Sequence, residues 1–307
     1  MHNKDKRLSV VIPMHNESGN IEELYNGLIK VQQHFANPFE MIFVNDGSTD
    51  SSLDIIKGLA SSDKNIKIID LSRNFGHQIA IKAGLSFALG DAAVVIDADL
   101  QDPPELIEKM VNKWQEGYQV VYAIRKNRKE GRLLRFLYAA FYRLLKIMSN
   151  TSIPLDAGDF CLLDKSIVKI LSSMPETDPF IRGLRSWAGY KQIGVEYDRQ
   201  ERYSGKAKYT FWKLLKLALD GIVSFSDIPL KIAAISGFVV SFFSFLLIIV
   251  LFIKRLPISG TTTIAVLILF LGGVQLISIG ILGEYIGRIY EQSKRRPLFL
   301  VKETVNV

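Results

Sequence analysis

Two stretches of the chain, "IAAISGFVVSFFSFLLIIVLFI" (232–253) and "TTTIAVLILFLGGVQLISIGIL" (261–282), contain no charged residue. Each has about the 20 residues that a helix needs to cross a hydrocarbon core. A soluble helix of that length carries a polar face, because one side of it meets water. These two lack such a face, so two membrane spans are expected, near 232–253 and 263–285. The connection holds only Lys254 and Arg255, whereas Lys206, Lys208, Lys213, Lys216 and Lys231 precede the first span and Arg288, Lys294, Arg295 and Arg296 follow the second. By the positive-inside rule both ends face the cytosol. The first residues, "MHNKDKRLSVVIP", lack the apolar centre of a signal peptide. The expectation is an integral inner or plasma membrane protein with a cytosolic domain (1–222), a two-helix membrane domain (228–290) and a cytosolic basic tail (291–307).

Ahead of the spans, short β-branched runs alternate with longer amphipathic ones. The runs "LSVVIP" (8–13), "FEMIFV" (39–44), "IKIIDL" (66–71), "AAVVID" (92–97) and "YQVVYAI" (118–124) read as strands, with helices near 20–35, 51–61, 78–89 and 104–116. This alternation predicts βαβ units and a mostly parallel α/β sheet covered on both faces. In such sheets ligands bind at the carboxyl ends of the strands. The polar clusters "MHNES" (14–18), "NDGSTD" (45–50), "SRNFG" (72–76) and "DADLQD" (97–102) all fall at those ends. Any one of them is ordinary turn chemistry; four on one rim predict a shared site. The net charge of +7 comes from basic residues gathered beside the spans and around 125–146, so an anionic membrane surface accounts for it and no nucleic acid is expected. The single cysteine, Cys161, excludes an internal disulfide.

Neither GxGxxG nor GxxxxGK[ST] follows the first strand, which removes the main support for dinucleotide and P-loop readings. What remains is carboxylates. Asp97 and Asp99 point to one side if the strand's extended geometry persists, and with the Gln101 amide they make a hard oxygen site for Mg2+ or Mn2+. Such an ion carries a substrate diphosphate. Asp102, followed by Pro103 and Pro104, reads as the N-cap of the next helix.

At this point the sequence resembles the family 2 glycosyltransferases of GT-A fold, specifically the membrane-bound polyprenyl-phosphate enzymes related to bactoprenol glucosyltransferase and dolichyl-phosphate mannose synthase. The motifs "VVIPMHNE" (10–17), "VNDGSTD" (44–50), "NFGHQIAIKAGL" (74–85), "DADLQDPPE" (97–105), "GDFCLLD" (158–164) and "LGEYIGRIYEQSKRRP" (282–297) occur in family order. The resemblance implies a GT-A cytosolic domain with amphipathic interface helices near 131–149 and 209–222, followed by the two transmembrane helices. It implies a nucleotide-diphosphate sugar as donor and a polyprenyl phosphate as acceptor. Pro13 and Glu17 would line the nucleoside, Asp46 would contact the base, and Asp97, Asp99 and Gln101 would hold the metal and the donor diphosphate. Arg125, Arg132 and Arg135 would meet the lipid phosphate. By family position Arg202, Lys206 and Lys208 belong to a loop that closes over the phosphates, or else make only electrostatic contact with the membrane. Asp159 sits where relatives keep an acidic residue near the reaction centre; it positions acceptor or sugar, or acts as a weak base, and Asp156 competes with it for that place.

The expected reaction is inverting, metal-dependent transfer of a sugar, with glucose from UDP-glucose as the best candidate, onto undecaprenyl or another polyprenyl phosphate at the cytosolic membrane face. Its product would serve modification of an envelope glycan such as O-antigen. The alternatives are the same chemistry with GDP-mannose, UDP-GlcNAc or a UDP-aminopentose, and, from another class, a non-catalytic membrane scaffold or lipid-binding partner. A processive polysaccharide synthase is disfavoured by the absence of QxxRW, for which "QERY" (200–203) is the nearest stretch. A homo-oligomer, with a tetramer as candidate form, is implied by the resemblance; glycines in the second span permit close helix packing.

Overall fold

The computed structural model describes residues 6–125, 157–176, 179–198 and 261–307, with individual helical residues between 233 and 246. The chain divides into two compact units: one holds the sheet and includes Pro297–Val307, the other contains a long apolar helix.

Strand and helix alternate in the expected order through β1 (Leu8–Met14), α1 (Ile21–Gln32), β2 (Glu40–Asn45), α2 (Ser52–Ser62), β3 (Ile66–Leu71), α3 (His77–Phe87), β4 (Ala92–Val95), α4 (Leu106–Gln115) and β5 (Val120–Arg125). There follow β6 (Ala157–Asp164), α5 (Lys165–Ser173), α6 (Ile181–Trp187), β7 (Gln192–Tyr197), α7 (Thr261–Ser293) and β8 (Val301–Val305). The sheet order is β7-β5-β6-β4-β1-β2-β3-β8. Strands β1 to β4 are mutually parallel and β5 is parallel to β7, while β6 runs against β4 and β5, and β8 against β3. The mostly parallel α/β sheet is therefore present.

Every residue of β1 is buried, which is why its sequence is apolar at every position but Ser9 rather than an alternation. Helix α1 buries Ile21, Leu24, Leu28 and Val31, a stripe at helical spacing. Helix α3 lies so close to β1 that a Cβ on Gly84 would come within 2.3 Å of the Val11 Cγ1. That approach packs the second half of α3 directly against β1 and β2.

Two expectations change. Helix α4 begins at Leu106 with Glu105 as its N-cap, so Asp102 is not the cap. Asp102 is buried, and its Oδ1 accepts a hydrogen bond from the Tyr197 hydroxyl on β7. The stretch 291–307, expected as a basic tail, contains an edge strand of the sheet. Its register pairs Ile68 with Val305 and Asp70 with Glu303, Lys57 bonds Glu303 at 2.6 Å, and Asn306 Nδ2 donates to the carbonyls of Ala60 and Ile66. Its Lys302 and Glu303 make it read as polar tail because its outer side meets solvent. Finally, the second expected span coincides with α7, whose Phe270–Ser293 segment is apolar and long enough to cross a membrane; among the described residues it alone meets that criterion. Most of the first span and both interface helices lie outside the described residues.

Candidate active site

The rim at the carboxyl ends of β1 and β2 is stitched by side chains. Asn16, at φ +58°, accepts at Oδ1 from the backbone N–H of Thr49 (2.8 Å) and Asp50 (3.3 Å), and its own N–H donates to Ser48 Oγ. Asp50 returns the connection by accepting from Ser18 N–H (3.2 Å) and Ser52 N–H (3.0 Å). Burial pushes the Asp50 carboxyl up, but these bonds outweigh it and hold the group below its ordinary value. Pro13 is buried on β1, and Glu17, whose N–H donates to Ser52 Oγ, accepts from Asn20 Nδ2. Asp46 is buried, with Oδ1 accepting from Phe75 N–H (2.7 Å) and Oδ2 from Gly76 N–H (2.9 Å). Asp46 thus ties the end of β2 to the start of α3.

The acidic loop departs from the expected geometry. Strand β4 ends at Val95, Leu100 takes φ +60°, and Asp99 Oδ1 accepts from Gln101 N–H at 3.1 Å. The chain therefore turns at Asp99 instead of carrying both aspartates along an extended strand, and a left-handed leucine costs roughly 1–2 kcal/mol that the surroundings must offset. Asp97 Oδ1 is buried without a hydrogen-bond partner. Burial, opposed by the charge of His77 and reinforced by Asp159, Asp102 and Asp99, raises the Asp97 carboxyl to about 6. An orphaned carboxylate oxygen in an acidic cluster is the donor set a hard divalent cation requires. Among the described residues no group of three or more His, Cys, Asp or Glu side chains encloses one point.

Asp159 on β6 is buried and gripped by Arg182 of α6, Nε to Oδ1 and Nη2 to Oδ2, each at 2.8 Å. Gln78 Nε2 donates to Asp159 Oδ2 at 3.2 Å, while Gln78 Oε1 accepts from Ile181 N–H at 2.9 Å. His77 Nε2 lies 3.4 Å from Asp97 Oδ1 and 3.5 Å from Asp159 Oδ2. Burial opposes a positive imidazole there, but the Asp159 hydrogen bond and the two carboxylate charges win and raise His77 to about 9. Burial likewise opposes ionisation of Asp159, and the Arg182 guanidinium overcomes it, holding the carboxyl well below the usual range. Three residues further into α6, Arg185 is fully buried and donates from Nη2 to the Gly158 carbonyl.

The family described as "Glycosyl transferase family 2" matches residues 9–171, and the "GtrB C-terminal hairpin" matches residues 228–289. An uncharacterized glycosyltransferase of Bacillus subtilis (strain 168), YkcC, is 47% identical over 304 residues, covering 97% of this chain and 94% of its own. The chain belongs to glycosyl transferase family 2. This glycosyltransferase is also 42% identical over 301 residues to the bactoprenol glucosyl transferase of Shigella phage SfV, covering 96% of this chain and 98% of that one. Among solved structures, the mannosyltransferase PcManGT of Pyrobaculum calidifontis, in complex with GDP-Man and Mn2+, matches with a TM-score of 0.53 at 20% identity. That likeness covers 71% of this chain and 63% of the other, less than two thirds of its length, and shows the GT-A-like fold alone.

In this glycosyltransferase the structure brings Asp97, Asp99, Asp159 and Asp46 to the rim, with Pro13 next to last in β1 and Glu17 just beyond that strand. Arg125 closes β5, and Asp156, Arg132, Arg135, Arg202, Lys206 and Lys208 lie outside the described residues. Sequence reasoning missed His77, Gln78 and Arg182 as site residues. The first two stand inside "NFGHQIAIKAGL", a motif noted whole without a role for either side chain; "IRGLRSW" (181–187) offers no local signal for Arg182.

Proposed function

We propose that this glycosyltransferase moves glucose from UDP-glucose to a polyprenyl phosphate at the cytosolic face of the membrane, inverting the anomeric centre. The observation that carries this reading is that the match to a bactoprenol glucosyl transferase runs through the catalytic domain and the C-terminal hairpin alike.

In the proposed reaction a polyprenyl phosphate oxygen attacks the anomeric carbon, the bond from that carbon to the donor diphosphate breaks, and the electron pair leaves with the nucleoside diphosphate. An alkyl phosphate loses its second proton near pH ~6, so the nucleophile is already ionised and needs no strong base. Asp159 agrees with this: locked by Arg182 and held below the usual carboxylate range, it is a poor proton acceptor. Of its two expected roles, positioning is the one adopted here. Attack from the face opposite the leaving diphosphate turns an α-linked donor into a β-linked lipid phosphate sugar.

Asp97 and Asp99, with the Gln101 amide, would hold Mg2+ or Mn2+, and PcManGT was solved with Mn2+. The chemistry such an ion supplies when bound is neutralisation of charge on the departing diphosphate. Asp46 has spent one acceptor direction on each oxygen and retains the other for a base N–H. Pro13 and Glu17 line the nucleoside, and Arg125, Arg132, Arg135, Arg202, Lys206 and Lys208 serve the acceptor and diphosphate. The membrane domain with both termini cytosolic, and the homo-oligomer, belong to the same proposal.

The test is incubation of the purified full chain with polyprenyl phosphate, a divalent ion and a panel of UDP- and GDP-sugars, followed by mass identification of the glycolipid. A glucosylated lipid phosphate from UDP-glucose is expected. A different sugar would correct the donor, and no glycolipid from any donor with folded protein would overturn the reading in favour of a non-catalytic role.

A further inference from the structure

Asp159, Gln78, Ile181 and Arg182 form a closed ring. Arg182 holds Asp159 through two bonds, Asp159 accepts from Gln78, and Gln78 accepts from the N–H of Ile181, the residue beside Arg182. Three elements meet there: the N-terminal turn of α3, strand β6, and α6. The same turn of α3 is anchored on its other side by Asp46, which accepts from Phe75 and Gly76. His77, lying between these anchors, has its Nε2 within 3.5 Å of both Asp97 and Asp159. No alternative partner is needed to account for either oxygen of Asp159, and its side chain is only 6% exposed.

The charge balance gives the ring a purpose. Asp97 and Asp159 flank one imidazole, and a donor diphosphate brings further negative charge to the same rim. Without Arg182, Asp159 would present a second uncovered carboxylate to that diphosphate, and like charges in a site of reduced dielectric repel strongly. With Arg182 in place its charge is covered and its orientation fixed, which leaves Asp97 as the carboxylate facing the donor complex.

We infer that Arg182 and Gln78 are positioning residues for sugar transfer: their ring fixes the Asp159 carboxylate and, through it, the His77 imidazole beside Asp97. The inference rests on the transfer reading above, and it brings helix α6 into the site through Arg182. A purely structural ring would lower the amount of folded protein and leave the kinetics of the remainder unchanged. A positioning ring lowers turnover in molecules that are folded and still bind donor.

The experiment compares full-length wild type, Arg182→Ala, Arg182→Lys and Gln78→Ala in detergent by thermal melting, by UDP binding, and by turnover. Turnover is read both as transfer to polyprenyl phosphate and as slow hydrolysis of UDP-glucose without acceptor. For Arg182→Ala we expect kcat to fall about 100-fold and donor KM and UDP Kd to rise about tenfold through the uncovered Asp159 charge; Arg182→Lys, which keeps the charge without the fork, should restore the affinity and regain about tenfold of the loss in kcat. Gln78→Ala, which spares the ion pair, should fold as wild type and lose about tenfold in kcat. The inference is overturned if both alanine variants turn over within about threefold of wild type, or if kcat per folded molecule is unchanged. If wild type hydrolyses UDP-glucose but transfers nothing to lipid, the acceptor reading fails while the hydrolysis rates still decide the ring. If wild type neither binds UDP nor hydrolyses the donor, both fall.

Discussion

Arg182 and Asp159 meet fork to fork, Nε to Oδ1 and Nη2 to Oδ2, with both distances 2.8 Å. A carboxylate whose folded pKa is depressed contributes stability above its unfolded pKa and loses it as pH falls through the folded value. Asp159 is depressed by Arg182 against the opposing effect of burial. The stability advantage of wild type over Asp159→Asn should therefore be greatest between about pH 6 and 5, decline as pH rises toward 9 and His77 loses the proton that Asp159 helps hold, and shrink below about pH 4, where the unfolded Asp159 protonates. At neutral pH the variant leaves a guanidinium without its counter-charge and should lose on the order of 2–4 kcal/mol. Melting curves across pH check this, and an advantage that widened as pH fell below about 4 would contradict it.

Asp97 has the opposite sign. Its folded pKa is raised to about 6, chiefly by burial, so between that value and the unfolded value the folded state binds more protons. Stability of the ion-free protein should rise as pH falls from about 7 to 4 through this group. Asp97→Asn should accordingly melt at or above wild type without a divalent ion. Adding Mn2+ at about 100 times its dissociation constant should stabilise wild type by about 2.7 kcal/mol and leave the variant unmoved. Turnover of the variant should fall by about 100- to 1,000-fold. Equal Mn2+-induced shifts in the two proteins would exclude Asp97 as a ligand.

Gly47 connects fold and site through space alone. It takes φ +65°, and a Cβ there would stand 2.5 Å from Asn74 N and 2.7 Å from Arg73 C, both backbone atoms that cannot swing aside. Gly47→Ala should cost about 2–4 kcal/mol from left-handed strain and overlap together. Because the loops it would part are those that Asp46 clasps, donor KM should rise more than kcat falls. Steady-state kinetics with melting measures both; an unchanged KM would sever the link.

What the sequence made legible follows the range of the forces involved. The apolar runs of β1 to β5 are read locally, because burial on both faces demands them, and the acidic rim follows from strand-end topology. The hydrogen bond from the Tyr197 hydroxyl to Asp102 spans 95 residues, and the grip of Arg182 on Asp159 spans 23, so neither leaves a local pattern. Asp102 before two prolines reads as a cap on propensity, and a buried hydroxyl partner overrides it. Strand β7 is half-buried and β8 largely exposed, so neither carries the continuous apolar run of an inner strand.

Strand β8 gives the last prediction. It covers the outer edge of β3, where unpaired N–H and C=O groups would otherwise invite pairing with another chain. Deleting residues 299–307 should lower the melting temperature of the sheet-bearing unit and promote aggregation, seen as a concentration-dependent shift in light scattering. A milder change isolates the side-chain contribution. Asn306, at φ +57°, donates to the Ala60 carbonyl at 3.1 Å and the Ile66 carbonyl at 2.9 Å, joining β8 to the loop that leads from α2 into β3. Asn306→Gly keeps the backbone geometry and removes both bonds, so it should cost about 1–3 kcal/mol without aggregation, since the ladder to β3 remains. Loss of stability in the deletion no greater than in Asn306→Gly would mean that the strand pairing itself contributes nothing.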